Sequence, residues 1–332
     1  MKKKSSTEII SKNFKSIVVE FPFGLGDQIM CFPLFASLKK ANPEIKITAL
    51  SPNKNSTLIL SNNKHIDNIY EYGIKKFTHL EIFKFFIKDF VKLWSFFKDN
   101  SFDMFIVVHP NPFRSLLLKL LPYKSSLVNT ENTHKTKEVV NILNKIGIKP
   151  VYDYTMEIEQ QKEVLSKYNL INKKYILVNI YVQYLNRDLR QWPYFDELIA
   201  KLKLKKENIV IVGLNPVHEH RNDIIDLVNN TSLEELLVII KNAKSIITVD
   251  GGIFHFAYSL KKSVIGIFGP LNPTNFLPFD KTLKVKVIYK NKECSPCIVN
   301  KVDIDCRNTE NKYSCMKDIS VDDVMKKIEE IL

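Results

Sequence analysis

The sequence predicts an α/β fold made of two Rossmann-like halves, and three observations support it. Short apolar runs alternate with amphipathic stretches along both halves of the chain, which implies parallel sheets with helices on both faces. The alternation breaks once, over VYDYTMEIEQQKEVLSKYNLIN (151–172), and then restarts. The length, 332 residues, exceeds one typical core. The expected organisation is an N-terminal domain over 1–150, a linker over 151–172 ending in a short helix, and a C-terminal domain over 173–332. Two such halves hold a ligand in the cleft between them, at the carboxyl ends of the strands.

The elements follow in order. SIVVEF (16–21) is a buried strand, and Asp27 to Lys40 reads as a helix. IKITALS (45–51) and IDNIYEY (66–72) are the next two strands. The aromatic, lysine-bearing stretch 77–100 reads as one helix, either packed on the sheet or with its outer residues in a membrane interface. FDMFIVVHP (102–110) is a strand and RSLLLKLL (114–121) a helix. In the second half, strands are expected at 175–182, 208–214, 245–250 and 263–269. Helices are expected at 192–203, 219–228, 232–243, 252–260 and 321–331, the last capped by Ser320.

Two glycine turns carry the chemistry. The first strand runs into Gly24-Leu25-Gly26-Asp27. Such turns commonly hold phosphate on backbone N–H groups, yet this one ends in a carboxylate. GLGDQI lacks the third glycine of a dinucleotide fingerprint, and the second strand ends in Ser51-Pro52 with no ribose-binding acid. That argues against a nicotinamide dehydrogenase. In the second half, the strand SIITV ends in Asp250-Gly251-Gly252 where a helix begins, with His255 one turn in. Free N–H groups and the positive dipole end suit an anion there. NRDLRQWP (186–193) supplies Asn186, Arg187 and Arg190 after the first strand of this half, and FGPLNP (268–273) closes another. Three loops at one sheet edge suit a diphosphate.

LGDQIMCFPLFASLKKANPEIKIT, LRQWPYFDELI and SLEELLVIIKNAKSIITVDGGIFHFAYSLKKSVIGIFGP, with the closing CSPC…SCMKDISVDDV, resemble glycosyltransferase family 9, the ADP-heptose lipopolysaccharide heptosyltransferases. The resemblance runs over nearly the whole chain and rests on the order and spacing of these blocks. It implies the GT-B fold, two Rossmann-like domains facing a central cleft. It also implies inverting transfer of heptose from ADP-heptose to a lipopolysaccharide or lipooligosaccharide core. Asp27 would be the general base on the acceptor side, its plainer reading being a helix cap. Arg190 would offset charge on the leaving diphosphate, and Asn186 falls where the family commonly has a hydroxyl residue. Gly251 and Gly252 stand for the family's Thr-Gly, a departure that removes one hydroxyl contact. Asp250 and His255 would meet sugar hydroxyls, Glu219 the ribose diol, and Thr231 and Ser232 the nucleobase. A different nucleotide-sugar, or a protein acceptor such as an autotransporter, is the close alternative.

Cys294, Cys297, Cys306 and Cys315 form a compact set of four thiols. In a cytoplasmic protein that spacing favours a structural zinc or iron over free thiols or disulfides, and catalysis of this kind requires no metal. The net charge of +13 favours polyanionic partners, namely nucleic acid, acidic lipid headgroups or phosphorylated substrates; the resemblance implies an anionic lipid-linked saccharide at the cytoplasmic surface of the inner membrane. A basic, metal-stabilised nucleic-acid-binding protein is the alternative of a different class. Against it, the aromatics do not interleave with basic residues as a stacking platform would, and Asp27 and Asp250 would repel phosphates. The N-terminus has no apolar run after its lysines, and no uncharged stretch is long enough to span a bilayer, so the expected location is the cytoplasm.

Overall fold

The computed structural model describes residues 14–22, 24–74, 78–129, 134–181, 187–215, 218–299, 302–303 and 312–331. The chain divides into two compact units. Unit 1 holds residues up to Glu157 together with Pro278–Asp280, and unit 2 holds Ile158–Leu277 and Lys281–Leu332.

Unit 1 is built on a five-stranded parallel sheet in the order β3-β2-β1-β4-β5. Its strands are β1 (Ser16–Glu20), β2 (Lys46–Ser51), β3 (Asn68–Glu71), β4 (Met104–Val107) and β5 (Ser125–Val128). β1, β2 and β4 are central and almost wholly buried, which is why they read as continuous apolar runs. The helix expected over 27–40 is two: α1 (Leu25–Met30) and α2 (Pro33–Ala41). Pro33 has no N–H to give to the preceding turn, so the first helix stops and the proline opens the second. α3 (Lys54–Ser61), capped by the Asn53 side chain, follows β2. The stretch 77–100 is likewise two helices, α4 (His79–Lys88) and α5 (Phe90–Asn100), broken at Asp89. Their inner faces place Phe85, Leu93 and Phe97 in a core with Phe102, Phe105 and Phe113. α6 (Pro112–Leu120) and α7 (Lys135–Lys145) complete the unit. Residues 278–280 join it through Phe279, whose N–H donates to the Tyr154 hydroxyl at 3.0 Å and whose ring lies 4.7 Å from that of His134.

Unit 2 opens with α8 (Lys162–Lys167) and has a six-stranded parallel sheet, β11-β10-β9-β6-β7-β8. The strands are β6 (Tyr175–Asn179), β7 (Asn208–Val212), β8 (Ile225–Asp226), β9 (Ser245–Val249), β10 (Val264–Phe268) and β11 (Val285–Tyr289). The helices are α9 (Arg187–Arg190), α10 (Phe195–Leu204), α11 (Leu233–Asn242) and α12 (Gly252–Ser259). A 3₁₀ turn lies at Pro273–Asn275. A small antiparallel pair, β12 (Ile298–Val299) and β13 (Val302–Asp303), precedes α13 (Ser314–Lys317) and α14 (Val321–Glu329). Ser320 caps α14 in a reciprocal box with Asp323, as its sequence implies.

The helix expected over 219–228 does not form. Asp226 is buried and accepts from the backbone N–H groups of Arg221 at 2.8 Å and Val228 at 3.0 Å. Those bonds hold the segment as a loop around the carboxylate, and only Ile225–Asp226 joins the sheet.

Candidate active-site residues at two topological switch points

In an open parallel sheet, the loops after the two strands that flank the reversal of strand order diverge and leave room for a ligand. In unit 1 those strands are β1 and β4; in unit 2 they are β6 and β9.

The turn after β1 carries Asp27 as the third residue of α1, with Gly24 as the cap position and no side-chain cap bond. The capping role read from sequence is therefore not the one Asp27 takes. A Cβ on Gly24 would lie 2.9 Å from Asp27 Oδ2, so the glycine leaves the space the carboxylate occupies. His109 follows β4, and Lys135 and Glu138 stand at the start of α7. Lys135 Nζ lies 3.1 Å from His109 Nδ1 and 2.9 Å from Glu138 Oε1. Glu138 is fully buried, and its other oxygen lies 3.6 Å from His109 Nδ1. Burial of the Asp27 carboxyl pushes its pKa above the usual aspartate value; Lys135 and His109 pull it down and Glu138 pushes it up. Behind this cluster, buried Arg114 pairs with Glu20 and donates to the carbonyls of His109, at 3.0 Å, and Phe21. Tyr72 donates to the other Glu20 oxygen at 3.0 Å. The ends of β1 and β4 are thus tied to one guanidinium.

In unit 2, Arg190 follows β6 and Asp250 follows β9. Their side chains meet across the switch point, with Arg190 Nη1 3.1 Å from Asp250 Oδ2. Beneath them the Asn179 amide donates to Thr248 Oγ1 at 2.9 Å, joining the two strands. Arg190 is held from both sides in sequence: Leu189 is buried, Gln191 donates to the Ile180 carbonyl at 2.7 Å, and the buried Trp192 indole donates to the Ile319 carbonyl at 2.9 Å. Gly251 caps α12 and Gly252 begins it, so the free N–H groups of that helix open beside Asp250. His255 is buried, with Nδ1 2.8 Å from the Tyr258 hydroxyl.

The remaining sequence-predicted residues fall differently. Ser232 is the cap of α11: its hydroxyl accepts from Glu235 N at 3.1 Å while Glu235 accepts from Ser232 N at 2.8 Å. Thr231 precedes it, partly buried, and Glu219 is exposed on the loop around Asp226. Asn186, the side chain of Arg187, and Cys306 lie outside the described residues. Sequence reasoning missed His218, which follows β7. Its Nε2 lies 2.7 Å from Asp226 Oδ2 and its Nδ1 3.4 Å from the Tyr181 hydroxyl, at the end of β6.

Cys297 and Cys315 are both buried and reach the same turn after β10. Cys297 donates its N–H to the Pro270 carbonyl at 3.1 Å, and a Cβ on Gly269 would lie 3.0 Å from Cys315 Sγ. Lys292 pairs with Asp318, which raises its pKa, with smaller charge contributions from Cys294 and Cys315. Among the described residues no three metal-ligating side chains converge on one point.

The profile of glycosyltransferase family 9 (heptosyltransferase) matches residues 131–307, more than half of the chain. The lipopolysaccharide heptosyltransferase 2 of Salmonella typhimurium is 28% identical over 103 residues, covering 27% of this chain and 29% of that protein. The matched stretch thus spans less than a third of the curated relative. A family 9 glycosyl transferase from Veillonella parvula superposes with a TM-score of 0.78 at 20% identity, over 98% of this chain and 99% of that one. The E. coli ADP-heptose heptosyltransferase II superposes at 0.70 and 17% identity, over 95% and 98%. At these identities the likeness is one of fold, the GT-B class with its two parallel sheets.

Proposed function

The chain belongs to glycosyltransferase family 9, the heptosyltransferases, and from that premise we propose that it moves a heptose, with inversion, from ADP-heptose to a lipid-linked lipopolysaccharide core at the cytoplasmic face of the inner membrane. The observation that carries this reading is the pair of switch-point clusters: a carboxylate with a raised pKa after β1, and a guanidinium beside a helix N-terminus after β6 and β9. Asp27 takes the proton from an acceptor hydroxyl as that oxygen bonds to the anomeric carbon. The bond from that carbon to the diphosphate oxygen breaks. Arg190 and the N–H groups opening α12 take up the charge that develops on ADP. A burial-raised pKa suits a base that must accept a proton and later return it to solvent.

The set of Cys294, Cys297, Cys306 and Cys315 we read as one structural zinc or iron. Four thiolates make a closed site, and its donors fit that metal chemistry. Cys297 and Cys315 reach the turn after β10, and binding would require Cys294 and Cys306 to join them there. A metal there would pin the chain between β11 and α13.

Asp27→Asn tests the central step. It keeps the size of the side chain and removes the base, so turnover should fall by about 10² to 10⁴ with ADP affinity nearly unchanged. Turnover close to the parent would remove Asp27 from the chemistry.

A further inference from the structure

The consecutive helices α4 and α5 of unit 1 bury one face and leave the other strongly apolar. Leu80 is 61% exposed, Phe83 64%, Ile87 64%, Val91 68% and Trp94 37%. Their spacing, three or four residues at each step, sets the first three on one side of α4 and the last two on one side of α5. Scattered single apolar residues on a surface are ordinary; five large ones on one two-helix face are not.

The charges beside the stripe identify its occupant. Lys84, Lys88, Lys92 and Lys98 lie along the same two helices, all exposed. Glu81 and Asp89 are engaged by Lys84 at 3.0 Å and Lys92 at 3.1 Å. Among the described residues Lys88 and Lys98 have no carboxylate within ion-pair reach, and the Lys98 ammonium stands 5.5 Å from the centre of the Trp94 ring. Long cationic side chains whose stems line an apolar face, with an indole among them, match the chemistry of a bilayer interface. The net charge of +13 for the whole chain adds attraction to an anionic surface.

We propose that the outer face of α4 and α5 is a docking surface for an anionic lipid bilayer, with the five apolar side chains entering the interface and the lysines meeting lipid phosphates. The proposal rests on the reading that the acceptor is lipid-linked, but its test needs no transfer reaction. The full-length protein is floated with vesicles of phosphatidylethanolamine containing about a quarter phosphatidylglycerol, and with vesicles of phosphatidylcholine alone. Binding should favour the anionic vesicles. Leu80→Ser/Phe83→Ser/Val91→Ser keeps every charge and should weaken binding about tenfold or more. Trp94 gives a second readout: its emission should shift to the blue on vesicle addition, over a constant signal from the buried Trp192. Activity on a delipidated, soluble acceptor should be the same for parent and variant. Equal vesicle binding by both would overturn the proposal, leaving general charge attraction. So would a parent that is oligomeric by light scattering, becomes monomeric in the triple variant, and binds no vesicles; the stripe would then cover a second copy of the chain. Vesicle binding by a protein that lacks transfer activity would leave this surface intact and count against the proposed reaction alone.

Discussion

Replacing Arg190 by Ala tests the proposed diphosphate site and the ion pair that holds the guanidinium before a ligand arrives. Two unit charges 3.1 Å apart, the separation of Arg190 and Asp250, attract by about 5 kcal/mol at an effective dielectric of about 20. Both side chains are mostly buried, 13% and 6% exposed, so much of that is offset by lost hydration. The net worth of such a charge-assisted contact is about 1.5–3 kcal/mol. Arg190→Ala should therefore lower unfolding stability by about that amount in urea titration. The loss should shrink when Asp250→Asn is added, because the charge left behind is then removed. In the free protein Arg190 already has Asp250, so on binding ADP the guanidinium would exchange one anion for another. That places the loss of ADP affinity, read by calorimetry, at the low end, about tenfold. Arg190→Lys should recover part of it, since an ammonium lacks the planar fork. Asp250→Asn alone should tighten ADP by releasing the guanidinium. Equal ADP affinity in the parent and Arg190→Ala would place the diphosphate elsewhere and refute the reasoning.

In the pH dependence of kcat/KM, the acidic limb should lie above the ordinary aspartate range, because burial raises Asp27 and only its ionised form is a base. Lys135→Met removes a charge that lowers the Asp27 pKa and should move that limb to higher pH; Glu138→Gln should move it lower; an unmoved limb in both would separate this cluster from the base. Gly24→Ala has an ordinary φ of −68° but crowds Asp27 Oδ2, so turnover should fall about tenfold or more while the melting temperature holds. Elemental analysis of protein purified without chelator should find close to one zinc or iron per chain, and Cys297→Ser should release it and lower stability; negligible metal in the parent would dismiss the site.

Much of the framework was legible because buried parallel strands announce themselves. Ser16–Glu20, Lys46–Ser51, Ser245–Val249 and Val264–Phe268 are continuous apolar runs, and Asp27 and Asp250 stand where such runs end in glycine. The partners of Asp27 were not legible. His109 and Lys135 are 26 residues apart; the pairing of β4 with β5 brings the segments that follow them together, and the pairing of β4 with β1 sets them beside the Asp27 turn. β5 and α7 themselves went unassigned, the first being four residues long and only partly buried. Arg190 and Asp250 were both named, but their contact depends on β6 pairing with β9, a long-range fact. The segment 219–228 had a plausible helical pattern, and a single buried carboxylate, Asp226, outcompeted it for backbone donors.

The bond from the Trp192 indole to the Ile319 carbonyl has a consequence for the far end of the chain. Met316, three residues earlier, sits so close to Gly269 that a Cβ there would lie 2.3 Å from its sulfur. The stretch from α13 into α14 therefore braces two loops at once: the one that presents Arg190 and the one that closes β10. Trimming the last twenty residues would act like a substitution in those loops some fifty to more than a hundred positions upstream. Removal of the stretch from α13 onward should thus weaken the proposed nucleotide binding, although none of the residues proposed to face ADP lies in it.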